Sequence, residues 1–125
     1  MNRAEQVAVY RLRDVLRDCD DLRRAPWKGS DRPTAGHCYV ASEVLYHHLG
    51  GKSAGYTVWG MKWEESQHWW LRAPGGYWID PTGDQFDTYP PHAEGKRRSF
   101  LTNAPSKRAV EMARRAGLEL RWIEP

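Results

Sequence analysis

The stretch QHWWLRAPGGYWIDPT, residues 67–82, decides the fold. Two runs rich in aromatic and aliphatic residues flank a Pro-Gly-Gly turn at 74–76, and this pattern predicts a β-hairpin. Antiparallel pairing around the turn folds the two ends of the stretch back beside one another. His68 and Asp80 are therefore expected at the same end of the hairpin.

Helical patterns lie on both sides of this hairpin. Apolar residues recur at spacings of three and four in each helical segment, and Gly50-Gly51 and Gly117 supply stop signals. The third helix is expected to begin with Asn103 or Thr102 as its cap. The predicted elements are helices over residues 4–24, 36–49 and 105–116 and strands over 55–63, 67–73, 77–80 and 118–123. This order predicts an α+β fold with an antiparallel sheet.

The length and composition favour one soluble domain. The chain has 125 residues, of which 40% are hydrophobic, and seven Trp and six Tyr supply much of the surface to be buried. We expect a single domain over 1–125, with an N-terminal helix over 4–24 and a catalytic-like core over 33–116. The net charge of +3 falls short of a nucleic-acid signature. The basic run at 96–98 is predicted to be a solvated loop, and a nucleic-acid role through it ranks last.

The sequence also indicates the compartment and the state of the thiols. No run approaches the ~20 apolar residues of a membrane span, and no apolar run follows the charged N-terminus as in a secretory signal. A cytoplasmic location without membrane contact is expected. Cys19 and Cys38 are then expected as free thiols rather than a disulfide. Cys19 falls on the apolar face of the first helix and is predicted to be buried.

Cys38 has a position that suits a nucleophile. It lies in TAGHCYVAS, residues 34–42, at the start of the second predicted helix. Free backbone N–H groups and the helix dipole favour a thiolate there. His68 is placed to exchange a proton with this thiol, and Asp80 to orient the imidazole. A buried cysteine, a sheet histidine and a turn-forming aspartate are the structural alternatives for the three residues taken singly.

The same motifs resemble a known group of proteins. GHCYVAS at 36–42 resembles the nucleophile helix of transglutaminase-like and papain-like proteins, and HWW followed by WIDPT resembles their His strand and Asp-Pro-Thr strand end. The stretch 68–86 is similar to the YunG-like bacterial family and to small proteins of actinobacterial phages. The resemblance implies a papain/transglutaminase-like domain whose nucleophile helix packs on a small antiparallel sheet. It implies Cys38 as nucleophile, His68 as general base and acid, and Asp80 as orienting residue, and the host cytoplasm if the protein is phage-encoded.

Three further residues are candidates for substrate contact. Gln85 carries an amide donor suited to an oxyanion beside the Cys38 backbone N–H. It equally suits a cap on the loop after the sheet, and both interpretations stay open. His37 beside the candidate nucleophile and Trp69 beside the candidate base are expected on the substrate side.

These residues predict a cysteine-dependent acyl-transfer enzyme that acts on an amide, peptide or isopeptide bond. Hydrolysis is favoured over transfer, and a protein or peptide-like substrate is the expected partner. The alternative is a non-catalytic phage or bacterial binding module, or a host-directed effector, in which the triad is vestigial. A catalytic metal on the Cys-His-Asp trio is a third interpretation. A structural zinc site is not expected, because His47 and His48 point to different faces of one helix. No cofactor is expected, and the oligomeric state stays open.

Overall fold

A computed structural model of the chain describes residues 1–64 and 66–122. Within this part of the chain, three helices accompany one sheet of four strands in which every neighbouring pair is antiparallel. The elements are α1 (Arg3–Leu16), α2 (Cys38–His48), β1 (Thr57–Trp63), β2 (Ser66–Arg72), β3 (Trp78–Ile79), β4 (Lys96–Arg98) and α3 (Lys107–Ala116). The strand order is β3-β2-β1-β4. The predicted α+β fold with an antiparallel sheet is confirmed.

The hairpin of β2 and β3 forms at the predicted turn. Leu71 pairs with Ile79 and Arg72 with Trp78, and the turn closes through a hydrogen bond from the Ala73 N–H to the Tyr77 carbonyl. Because β3 has only two residues, it covers only the far end of β2. The first residues of β2 thus have no strand beside them on that edge among the residues described.

The core lies between the sheet and the three helices. α2 packs on β2 and against α3, and α1 packs on α3. The helices and strands contribute fully buried apolar side chains, which include Leu12, Leu16, Val44, Leu45, Leu71 and Met112. Removing such side chains from water supplies most of the folding free energy. In the described ranges, no helix is long and apolar enough to cross a membrane.

The opposite face of the sheet is covered by the segment around 92–95. Trp70 is fully buried there, and a Cβ at position 95 would overlap its indole ring. Gly95 is therefore required for the close approach of this segment to the sheet. This packing also brings His92 to within 4.9 Å of the Trp70 ring, measured between ring centroids.

The structure corrects two predicted helix boundaries. α1 ends at Leu16 rather than at residue 24, because the next N–H groups bond three residues back and the chain enters a short 3₁₀ turn at Asp20–Leu22. α3 starts later than predicted, with Ser106 as its cap instead of Asn103 or Thr102. The Ser106 hydroxyl accepts from the Ala109 N–H at 3.2 Å.

The structure also corrects two predictions about which segments form strands. Lys96–Arg98, predicted as a loop, forms the edge strand β4, although its side chains are exposed as expected. The predicted last strand does not form over residues 118–122, and Ile123 lies outside the described residues.

Candidate active site

Cys38 is the first residue of α2 and lies against the open edge of β2. Its Sγ is 3.5 Å from the carbonyl oxygen of Gln67, to which it donates. The backbone N–H of Trp69 is also close enough to lower the pKa of this thiol. These two backbone groups flank His68, so the thiol lies beside the strand at the position of the candidate base.

His68 and Asp80 form a buried pair. Nε2 of His68 lies 2.6 Å from Oδ2 of Asp80, and the two side chains are 0% and 1% exposed. The Phe86 ring meets the imidazole edge to face, with 4.8 Å between the two ring centroids. The predicted placement of both residues at one end of the hairpin is confirmed.

A second histidine binds the same carboxylate. Nε2 of His92 lies 2.7 Å from Oδ2 of Asp80, and its side chain is 11% exposed. Burial alone would raise the pKa of Asp80, but the hydrogen bonds from His68 and His92 outweigh it and hold the pKa below its ordinary value. Sequence reasoning missed His92, because it lies in an irregular stretch where no periodicity fixes which side chains meet.

Gln85 joins the imidazole to the turn before Cys38. Its Nε2 is 3.2 Å from Nδ1 of His68, and its Oε1 accepts from the Gly36 N–H at 3.5 Å. If Nε2 of His68 carries the proton that Asp80 accepts, Nδ1 presents a lone pair to the Gln85 amide. The structure therefore gives Gln85 a place beside both the candidate base and the candidate nucleophile.

The thiol of Cys38 is protonated at neutral pH in this arrangement. Removal of Sγ from bulk water raises the pKa of Cys38 to about 11, and the Asp80 charge adds to this effect. The N–H groups of Trp69 and Tyr39 oppose it without cancelling it. No hydrogen bond joins Cys38 to His68 in residues 1–64 and 66–122. The thiolate that the position at the helix start favours is thus not the state of Cys38 in this structure.

A cavity opens directly at Cys38. It has a volume of about 370 Å³. Its wall combines aromatic, polar and basic side chains, among them Trp27, Cys38, Trp69, Gln85, Arg24 and Arg108. Trp69, predicted on the substrate side, is part of this wall. The cavity is large enough for part of a peptide or another small acyl group.

His37 lies elsewhere. It is fully buried and is absent from the wall of the cavity at Cys38. Burial lowers its pKa to about 4, so the ring is neutral. The structure does not place His37 with the candidate site, because the residue before the first turn of α2 turns inward to the core.

The described residues show neither a metal cage nor a disulfide. No group of three or more His, Cys, Asp or Glu side chains among them is arranged to hold a metal ion. Cys19 and Cys38 are both free, and Cys19 is buried. The thiol of Cys38 is therefore available to a molecule in the cavity.

Comparison with known proteins identifies the family. A family model described as YunG protein matches residues 11–118. Since this match spans most of the chain, the protein belongs to the YunG family, and the resemblance noted in the sequence is confirmed at that level. No curated protein and no solved structure matches the chain.

Proposed function

We propose that the protein is a cysteine-dependent acyl-transfer enzyme with a papain/transglutaminase-like site, and that it hydrolyses an amide, peptide or isopeptide bond. One observation carries the proposal. Asp80 fixes the buried His68 through a 2.6 Å hydrogen bond, while the Cys38 thiol lies against the backbone groups on both sides of His68. The candidate nucleophile lines the cavity together with Gln85, and Gln85 contacts the buried candidate base that Asp80 orients.

The first chemical step needs His68 as a base. Because the pKa of Cys38 is about 11, the thiol has to lose its proton as it attacks. Nδ1 of His68 accepts that proton, and Sγ forms a bond to the substrate carbonyl carbon. The carbonyl π electrons move to oxygen and give an oxyanion. Asp80 stabilises the imidazolium that results.

Gln85 has two parts to play in this scheme. Its amide covers Nδ1 of His68 in the structure, so it must move away before Nδ1 can accept the thiol proton. Once it has moved, its N–H groups are available to the oxyanion together with the Cys38 backbone N–H. The movement couples arrival of a substrate to exposure of the base.

The second half of the reaction releases both products. The oxyanion collapses, the bond from carbon to nitrogen breaks, and the imidazolium of His68 gives its proton to the leaving amine. Water then attacks the Cys38 thioester while His68 takes one of its protons, the bond from carbon to sulfur breaks, and the imidazolium returns the proton to Sγ. The carboxylic acid leaves, and the free thiol and the neutral imidazole are restored. No further reactant is needed.

Acylation by p-nitrophenyl acetate tests the proposal without knowledge of the natural substrate. The wild type is expected to release p-nitrophenolate in a burst and to carry an acetyl group on Cys38. His68→Gln keeps a donor for Asp80, and it is expected to slow this acylation by about 100-fold or more. Stopped-flow absorbance measures the rate, and peptide mapping by mass spectrometry locates the acetyl group.

Two matched variants provide the controls. Cys19→Ala removes the other thiol, and His48→Gln removes a histidine that contacts the Glu119 carbonyl at the far end of α2. Both are expected to react within about twofold of the wild-type rate, since effects of distant sites on a reacting group are small. An acylation rate at Cys38 that His68→Gln leaves unchanged in a folded protein refutes the proposal.

One observation favours the binding module as the second candidate. The guanidinium of the exposed Arg72 lies over the rings of the half-buried Trp59 and Trp78, at 5.9 and 5.1 Å from their centroids. Such stacked Trp and Arg side chains are common in interface centres. For a binding module, Cys38→Ser preserves the cellular phenotype and Trp78→Ala abolishes it. For the enzyme, Cys38→Ser abolishes the phenotype.

A further inference from the structure

A second cavity lies away from Cys38, between the C-terminal end of α2 and the edge strand β4. Its volume is about 620 Å³, and it shares no lining residue with the cavity at Cys38. Three basic side chains line it, those of Lys52, Arg98 and Arg121, and no described lining residue is acidic. The Arg97 side chain points to the other face of the sheet, because Arg97 pairs with Trp59 whereas Arg98 pairs with Val58. A concave surface with charge of one sign concentrates ligands of the opposite sign.

These three cations are not used by the fold. All are exposed, and none of them forms an ion pair with another residue that the structure describes. The other arginines near acidic side chains behave differently, as Arg115 shows by binding Asp21 at 2.7 Å. The positive charge of this cavity is therefore not neutralised by any described residue and is available to an anionic ligand.

A buried histidine supplies an independent sign of a ligand. His47 lines the cavity and is only 5% exposed, yet its Nε2 has no hydrogen-bond partner among the described residues. A buried polar atom without a partner costs free energy, and a bound molecule recovers that cost. The backbone of His47 is satisfied, because its carbonyl accepts from the Arg121 N–H at 2.9 Å.

Aromatic rings form the remaining wall. Tyr46 and Phe100 meet edge to face with 5.5 Å between ring centroids, and Trp122 meets His47 at 5.7 Å. Such rings offer a flat apolar surface for a ring system of a ligand. The volume falls within the usual range of about 300–1,000 Å³ for small-molecule sites.

We propose that this second cavity binds a compact phosphate-bearing molecule with an aromatic ring, of the nucleoside-phosphate class. The three cations hold the phosphates, Nε2 of His47 meets a polar atom of the ligand, and the aromatic wall holds the ring. This site does not depend on the acyl-transfer proposal.

Calorimetric titration of the full chain with ADP, pyrophosphate and adenosine tests the site. ADP is expected to bind once per chain and at least about tenfold more tightly than pyrophosphate or adenosine, because only ADP engages both walls. The double substitution Arg98→Gln with Arg121→Gln is expected to weaken ADP binding about tenfold or more, as for loss of charge-assisted hydrogen bonds. His47→Phe keeps an aromatic ring without the nitrogens and is expected to weaken it about two- to tenfold.

The matched control removes the same charge at the two ends of α1, from its first residue and from the residue that follows it. Arg3→Gln with Arg17→Gln replaces two exposed arginines that line neither cavity, and ADP affinity is expected to stay within about twofold of the wild type. Absence of ADP binding by the wild type overturns the proposal, as does an equal loss in both double variants. A single-stranded oligonucleotide that binds far more tightly than ADP, with steep salt dependence, also overturns it, since the surface would then serve nucleic acid.

Discussion

Replacement of Asp80 by alanine is expected to lower the free energy of unfolding by about 3–5 kcal/mol, the range seen when one partner of a buried charged pair is removed. The structure gives the reason. The Asp80 side chain is 1% exposed, and its Oδ2 accepts from His68 at 2.6 Å and from His92 at 2.7 Å. Its loss leaves two donors without a partner, one of them in a fully buried ring. Each such donor costs about 1–3 kcal/mol.

Urea unfolding followed by tryptophan fluorescence measures this cost. The midpoint is expected to fall while the slope m stays unchanged, because the surface exposed on unfolding is nearly the same. Asp87→Ala is the control: this carboxylate is 78% exposed and pairs with Arg32 at the surface, so its loss is expected to cost at most about 1 kcal/mol. Equal stability losses in the two variants refute the reasoning that Asp80 organises the site.

Three further predictions follow from the structure. The pKa of Asp80 is lower in the folded protein than its ordinary value. Its contribution to stability is therefore complete above about pH 4 and is lost as the pH falls through the lowered pKa. The unfolding midpoint is expected to depend less on acid pH in Asp80→Asn than in the wild type, and an unchanged dependence contradicts this. The rate at which iodoacetamide alkylates Cys38 is expected to rise about tenfold per pH unit towards pH 11 and to exceed the rate at the buried Cys19. A rate that reaches a plateau below pH 9 contradicts this prediction. Ser106→Ala removes the α3 cap and a 2.7 Å hydrogen bond to Glu43, so it is expected to lower the free energy of unfolding by about 1–2 kcal/mol. Chemical unfolding measures this loss, and a value below about 0.3 kcal/mol contradicts the prediction.

The hairpin and its buried pair were predictable because their signals are local. Only 12 residues separate His68 from Asp80 in the sequence, and the turn at 74–76 lies between them. A turn position and an alternation of side chains are enough to place both ends together. The position of Cys38 at a helix start was predictable for the same reason, since the apolar spacing of α2 begins there.

The rest of the site depends on tertiary contacts. His92 reaches Asp80 because the segment around Gly95 packs on Trp70, and no periodic pattern in that segment announces it. The pKa of Cys38 was misjudged from the helix terminus alone. The loss of contact with water outweighs the helix N–H groups, and burial of a side chain is known only once the whole chain has been folded.

The edge strand β4 shows a similar limit. Its three residues are all basic and exposed, so they carry none of the apolar alternation that predicts strands. Edge strands often carry such charges, which discourage pairing with other chains. A charged run therefore predicts exposure correctly and leaves the backbone pairing undetermined.

The covalent intermediate provides the most direct test of the central claim. Protein quenched within the burst of p-nitrophenyl acetate hydrolysis is digested at low pH and mapped by mass spectrometry. The account predicts an acetyl group on Cys38 that hydroxylamine removes, as expected for a thioester, and that His68→Gln strongly reduces. Acetylation confined to lysines or to Cys19, with Cys38 unmodified, would contradict it.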